Sequence, residues 1–278
     1  MAAPEIVVDA GARLGEGPVW DGRAQRLYWV DILGRSVHVH DPAGVADEVF
    51  DVGTHVGSLV VREQGGLVLA VADGFLAFDF VSTSEIAAVA HPGPPARFND
   101  GKCDPSGAFW AGTMPYDQEP GAGIVYRLDP DHGVRPVLPG VTVSNGLDFT
   151  PDGRTLYYID TPTGRIDAFD VDSGMLSGRR TVVEVSGGSP DGLTIDADGC
   201  LWVALWGGSA VHRYTPDGRL DRVVEFPVSR PTCPVFGGAD LGTLYVTSAS
   251  VGVDEPHAGA LFAVDVGGKG LPANRFGG

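Results

Sequence analysis

The chain has 278 residues, 43 % hydrophobic and 20 % charged, which supplies a sizeable apolar core and argues against a disordered chain. Its 36 acidic residues against 19 basic ones leave a formal charge of −17, a field that repels phosphate backbones, so no nucleic-acid partner is expected. The 41 Gly and 21 Pro point to tight turns rather than long helices. The opening MAAPEIVVDA lacks the basic start and apolar stretch of a signal peptide, and no run approaches 18 apolar residues, so no membrane partner is expected. Cys103, Cys200 and Cys233 are odd in number and show no CxxC pairing, which suits a reduced, cytoplasmic setting.

In chain order, EIVVD from Glu5 is a strand with no neighbour in its own part of the sequence. A pattern then begins and recurs. RLYWVDI from Arg26, GLVLAVAD from Gly66, AFWAGTM from Ala108, TLYYIDT from Thr155, CLWVALW from Cys200 and TLYVTSA from Thr243 are rich in β-branched and aromatic residues, as strands are. With Trp29, Leu69, Trp110, Tyr158, Trp202 and Tyr245 as markers, the spacings are 40, 41, 48, 44 and 43 residues. Each run is followed by a second strand, such as SVHVHDPAG from Ser36 or RIDAFDVDSG from Arg165, whose Asp and Gly suit tight hairpins. Valine-rich segments such as RTVVEV from Arg180 and DRVVEFP from Asp221 add a third. Units of this length with several short strands are the signature of propeller blades. A sandwich would show short strands without the sixfold recurrence. The expected fold is all-β, a six-bladed β-propeller in one domain, residues 1–278, with the strand from Glu5 closing the last blade and hiding an edge. GGKGLPANRFGG at the end reads as looser.

Ahead of each marker strand lies a further segment: LGEGPVWD from Leu14, HVGSLVV from His55, RFNDGKCDPSG from Arg97, SNGLDFTPDG from Ser144, PDGLTIDADG from Pro190 and TCPVFGG from Thr232. Aligned on the Gly that follows, five of them carry Glu16, Val56, Asp100, Asn145 and Asp191 at one position, with Cys233 at about that place in the sixth. Asn-Gly and Asp-Gly are ordinary turn dipeptides taken singly. Innermost strands surround a central channel, so equivalent positions converge there. Glu16, Asn145 and Asp191 then offer two carboxylates and an amide, a donor set for one hard divalent cation, with positions left open for water and substrate.

LGEGPVWD, RFNDGKCDPSGAFWAGTM, SNGLDFTPDGRTLYYIDT, PDGLTIDADGCLWVALWGG and RPTCPVFGGADLGTLYVTSA, in that order and across nearly the whole chain, resemble the SMP-30/gluconolactonase family. The resemblance implies a six-bladed propeller that hydrolyses a small sugar lactone. It implies one metal held by Glu16, Asn145 and Asp191, and substrate contacts from Arg97 and Asn99 with Asp100 nearby. The family's Glu after GTM falls on Asp117 here, with Glu119 two residues on, and this departure bears on which sugar is bound. Asp191 is the first choice for general base. Calcium, magnesium, manganese, zinc and ferrous iron all suit the donors. Elsewhere, no HExxH or GxSxG appears, which sets aside those zinc and serine hydrolases. Lys102 reads as a surface charge, Cys103 as a packed thiol, and His55 and Trp206 as residues near the channel. The rival readings are a propeller that binds protein partners, a calcium-binding regulator without turnover, and an organophosphate or ester hydrolase.

Overall fold

A computed structural model describes residues 3–44 and 47–278. Among these residues the chain forms six four-stranded sheets and one short 3-10 turn, Thr161–Thr163. Blade 1 is β2 (Gly15–Asp21), β3 (Arg26–Asp31), β4 (Ser36–His40) and β5 (Asp47–Asp51). Blade 2 is β6 (Val56–Val61), β7 (Leu67–Val71), β8 (Gly74–Phe78) and β9 (Thr83–Ala88). Blade 3 is β10 (Ala96–Cys103), β11 (Phe109–Pro115), β12 (Gly123–Leu128) and β13 (Val134–Val141). Blade 4 is β14 (Ser144–Phe149), β15 (Thr155–Asp160), β16 (Arg165–Asp172) and β17 (Met175–Glu184). Blade 5 is β18 (Ser189–Ile195), β19 (Leu201–Trp206), β20 (Ala210–Tyr214) and β21 (Leu220–Glu225). Blade 6 joins β22 (Pro231–Gly237), β23 (Thr243–Ser248) and β24 (Leu261–Asp265) to β1 (Glu5–Val8). The strand from Glu5 thus closes the ring as expected, Ile6 opposite Phe262 and Val8 opposite Leu261 in an antiparallel ladder.

The marker strands are the second strands of their blades, and their aromatics fill the seams between blades. Trp29 and Trp20 pack with Tyr245 and Leu261 between blades 1 and 6. Trp110 packs with Phe149 and Tyr158 between blades 3 and 4, and Trp202 with Phe236 and Phe262 between blades 5 and 6. Each of these Trp residues is at most 4 % exposed. Burial of an aromatic of this size contributes a few kcal/mol, so the repeat is an energetic as well as a geometric unit.

The turns of DPSG and DADG do more than reverse the chain. In the first, Asp104 accepts bonds from the Ser106 and Ala108 amides on one oxygen, and Trp110 Nε1 donates to the other at 2.8 Å. Two blades later Asp196 repeats the arrangement with the Asp198 and Cys200 amides and Trp202 Nε1 at 2.8 Å. Asp31 and Asp160, each the last residue of a second strand, accept backbone N–H groups from Leu14 and Val143, at the start of their own blades' innermost strands. Among the described residues no helix is long and apolar enough to cross a membrane.

One expectation fails at the end of the chain. The segment GGKGLPANRFGG is not loose: it crosses the face on which the innermost strands end. Lys269 O accepts from the Ala197 amide, and Phe276 N–H donates to Val61 O while its carbonyl accepts from Glu63. Arg275 pairs with Asp21, and the Phe276 ring is 0 % exposed within the core between blades 2 and 3. A run of Gly and Pro in sequence hides the one aromatic that anchors it.

Candidate active site

Each innermost strand breaks register with its neighbour beside the aligned position. The breaks lie between Glu16 and Val19, Val56 and Ser58, Phe98 and Gly101, Ser144 and Leu147, Pro190 and Leu193, and Pro231 and Pro234. A bulge turns side chains out of the pleat alternation, and in each blade it falls where the channel begins. The Asn-Gly and Asp-Gly pairs are therefore not turns. Gly101 and Gly146 lie inside strands, where the missing Cβ lets neighbouring blades touch: a Cβ on Gly146 would lie 2.6 Å from Asp191 O, and one on Gly101 2.6 Å from Ser58 Oγ.

The ring residues divide between two spaces on the axis. A cleft of ≈ 620 Å³ is lined by Glu16, Arg97, Asn99, Asn145 and Asp191, with Thr161, Gln118 and Trp206 at its sides. Further along the innermost strands, a chamber of ≈ 300 Å³ holds Asp100, Lys102, Asp148 and Cys233, with Pro272 and Asn274 of the last segment in its wall. Asp100 thus faces the chamber rather than the cleft. Asp117 is exposed on the β11–β12 connection and does not line the cleft, where Gln118 stands; its carboxylate accepts from the Glu119 amide at 3.1 Å. Lys102 is not a surface charge: its Nζ lies 3.5 Å from Asp148 Oδ2 and donates to Leu193 O at 3.3 Å. The sequence hides this because Lys102 looks like any polar residue after a Gly.

Hydrogen bonding fixes how the two amides point. Asn99 donates from Nδ2 to Ser144 O at 2.7 Å, leaving its Oδ1 to accept from Arg97 Nη1 at 2.7 Å. Thr161 Oγ1 spends its proton on Pro190 O at 2.9 Å, so it can only accept from Asn145 Nδ2, also at 2.9 Å. Asn145 Oδ1 is consequently buried with no donor. A buried carbonyl oxygen without a partner is costly, and sequence alone gave no sign of Thr161's part in aiming it.

The charges are equally unbalanced. Glu16 is 4 % exposed and its carboxyl is pushed well above the ordinary range, first by burial and then by the charges of Asp191 and Asp100. Asp191, also 4 % exposed, is raised by burial and by Asp100, against the pull of Asn145 and Arg97. Asp100 is raised to about 6 by burial, with Lys102 and the Gly101 amide pulling it down. Arg97 donates to Phe98 O as well as to Asn99 and is lowered to about 10 by burial, although Glu16, Tyr116 and Asp191 favour its charge. One guanidinium faces two buried acids in the cleft, Glu16 and Asp191, with Asp100 behind them. Among the described residues no three His, Cys, Asp or Glu side chains gather as a ligand group; the donor set at the cleft is two carboxylates and an amide. Those donors fit a divalent cation on two counts, the orphaned Asn145 Oδ1 and a buried negative charge with too little to balance it.

Comparison with known proteins gives the family of the chain. Residues 14–250 match the family described as SMP-30/Gluconolactonase/LRE-like region. Regucalcin of Xenopus laevis is 39 % identical over 99 % of this chain and 98 % of its own. The 6-deoxy-6-sulfogluconolactonase of Pseudomonas putida is 36 % identical over 99 % of this chain and 98 % of its own. Among solved structures, a calcium-binding regucalcin from Agrobacterium tumefaciens superimposes with a TM-score of 0.93 at 30 % identity, over 99 % of this chain and 97 % of that one. The chain belongs to the SMP-30/gluconolactonase/LRE-like family.

Proposed function

We propose that the chain, acting as one domain over residues 1–278, hydrolyses a sugar lactone to its aldonic acid with one divalent cation held by Glu16, Asn145 and Asp191. The observation that carries this reading is the buried Asn145 Oδ1, without a donor, beside two buried carboxylates whose charge only Arg97 offsets. A cation bound there supplies Lewis acidity to the lactone carbonyl oxygen and lowers the pKa of water. Arg97, oriented by Asn99, binds substrate oxygens through its remaining donors. Asp191 takes the proton of the attacking water on a carboxylate oxygen as the new C–O bond forms, and returns it to the ring oxygen as the ester bond breaks. Asp100 acts from the chamber side by its charge. Trp206 and Gln118 flank the substrate. The similarity to a calcium-binding regucalcin of Agrobacterium tumefaciens favours calcium as the first ion to test, and also keeps a calcium-binding role without turnover as the second reading.

The test is hydrolysis of an aldonolactone panel by chelator-stripped protein with and without added calcium, magnesium, manganese, zinc or ferrous iron. Metal-restored turnover is expected, abolished in Asp191→Ala and Asn145→Ala. Rates no faster than the spontaneous background with every ion would overturn the enzymatic reading, and calcium binding without turnover would establish the second.

A further inference from the structure

Acids outnumber bases 36 to 19 in this chain, so an arginine at the surface meets a carboxylate readily. Nine arginines do, Arg213 with three of them. Around the cleft the pattern stops. Among the described residues Arg13, Arg35 and Arg97 make no ion pair, although Arg97 is buried. Arg230 also makes no ion pair at this face, where its guanidinium donates to Val251 O and lies 4.6 Å over the Trp206 ring, while Arg62, Arg154, Arg219 and Arg222 lie elsewhere on the blades.

Arg13, Arg35 and Arg97 are linked through the blades that carry them. Arg13, just before β2, reaches from Nη1 to Leu33 O at 3.3 Å in the β3–β4 turn that holds Arg35. The Arg35 carbonyl accepts from the Val52 amide at 2.9 Å, at the start of the connection that holds His55. His55 Nδ1 then hydrogen-bonds Tyr116 Oη at 2.8 Å, joining blade 2 to blade 3, and Tyr116 lies close enough to Arg97 to bear on its charge. Burial holds the His55 imidazole below its ordinary pKa, and the charges of Arg97, Arg35 and Arg13 add to it. One side of the mouth therefore carries an arc of three guanidiniums against one buried carboxylate, Asp31, which the Arg13, Leu14 and Gly34 amides hold at 2.8–2.9 Å. The acids of the β11–β12 connection, Asp117 and Glu119, follow Tyr116, and Asp117 is engaged by the Glu119 amide.

We propose that this arc, Arg13 and Arg35 with the His55–Tyr116 pair above Arg97, selects sugar lactones that carry an anionic group on the carbon remote from the reacting carbonyl. The inference rests on the lactonase reading and adds the substrate class. The carbonyl belongs at the axis, beside Glu16, Asn145 and Asp191, whose buried negative charge repels an anion. A substrate with a carboxylate, sulfonate or phosphate at its far end is held off the acids and drawn to the arc, which fixes which end enters first. Arg13 and Arg35 are exposed, so they act through a screened field that depends on salt.

The experiment compares D-glucaro-1,4-lactone with D-glucono-1,4-lactone, which share the ring and differ by a carboxylate against a hydroxymethyl group, on metal-supplied protein at low and high salt. Wild type is expected to favour the glucarolactone in kcat/KM by about tenfold at low salt, mainly through KM, with the preference shrinking as salt rises. The double variant R13Q/R35Q is expected to lose most of that preference and its salt dependence. Equal or better turnover of the gluconolactone by wild type, or a preference untouched in the double variant, overturns this inference and leaves the lactonase reading standing. If neither lactone is hydrolysed, the lactonase reading falls, and calorimetric binding of D-glucuronate against D-glucose decides the anion selection. Tighter binding of the anion, weakened in R13Q/R35Q, then sustains it, and equal binding overturns it.

Discussion

Asp100 offers a direct measure of the charge stored on the axis. Its Oδ1 accepts from the Gly101 amide at 2.7 Å, while its Oδ2 is buried with no partner. Its pKa rises from 3.8 to about 6 on folding, by burial, after the attraction of Lys102 is counted. The folded protein therefore holds this proton more tightly than the unfolded chain does. The contribution to stability is fully present below pH 3.8 and is lost as pH rises through about 6. At about 1.4 kcal/mol for each factor of ten in acidity, the ionised group costs the metal-free fold about 3 kcal/mol at pH 8. Asp100→Asn keeps the shape, removes that charge and relieves Glu16 and Asp191, which Asp100 also perturbs. Chelator-stripped D100N is expected to melt about 6 °C above wild type at pH 8, taking about 2 °C per kcal/mol for a chain of this length. At pH 4.5, where folded Asp100 is protonated but the unfolded group is largely ionised, the gap should shrink to about a third of its value at pH 8, about 2 °C. Thermal melts of both proteins at the two pH values make the comparison. A variant no more stable than wild type at pH 8, or one with the same gain at both, would refute the claim that the axis is held under electrostatic strain.

Three further outcomes follow from the scaffold. Phe276→Ala removes the buried anchor of the last segment and should cost about 3–5 kcal/mol, read as a drop of about 6–10 °C in Tm; an unchanged Tm would mean that the segment contributes nothing to the fold. Asp196→Ala strips the partner from Trp202 Nε1 and one of three carboxylates from Arg213, with a loss of about 1–3 kcal/mol in urea unfolding, and a loss within the error of extrapolation would contradict that role. Gly146→Ala sets a Cβ 2.6 Å from Asp191 O, so the thermal shift on adding cation should shrink to less than half that of wild type even where the variant still folds; a full shift would show that this contact does not set the ligand positions.

The sixfold spacing of the marker strands and the lone strand from Glu5 were enough to read the ring and its closure, because blades repeat one burial pattern at nearly constant length. The outermost strands β5 and β9 were harder to see: DEVFD and TSEIAA are half exposed and lack a strong alternation. At the site, aligning the segments on a Gly brought out Glu16, Asn145 and Asp191, since the bulge and the close approach of blades demand that Gly in most blades. What alignment lacked was depth. Asp100 occupies the same aligned position as Asn145 but faces the chamber, and Gln118 rather than Asp117 borders the cleft. Thr161 escaped notice because it acts across blades, linking Asn145 of blade 4 to Pro190 of blade 5. Arg13 and Arg35 carry no motif at all, and only their shared position at one side of the mouth makes them a feature.

The chain handles its surplus of acid in two ways, and the difference locates the site. Most buried acids away from the axis are satisfied, Asp47 Oδ1 on β5 being an exception: Asp31 and Asp160 take backbone amides, Asp104 and Asp196 hold turns and tryptophans, and Asp167 pairs with Arg165 and Arg179. These groups stabilise the fold with every atom occupied. On the innermost strands the logic reverses. Ser58 Oγ, Asp100 Oδ2 and Asn145 Oδ1 are buried without partners, and Glu16 and Asp191 are held far from their ordinary acidity. A fold able to satisfy Asp196 through four neighbours has no structural need to leave these bare. On the proposed reading, their cost is offset when a cation arrives at the axis, and the imbalance that weakens the fold would be the source of that affinity. Stability of the blades and strain on the axis are two results of one repeat, in which the innermost strand borders the channel and the strand after it packs the seams.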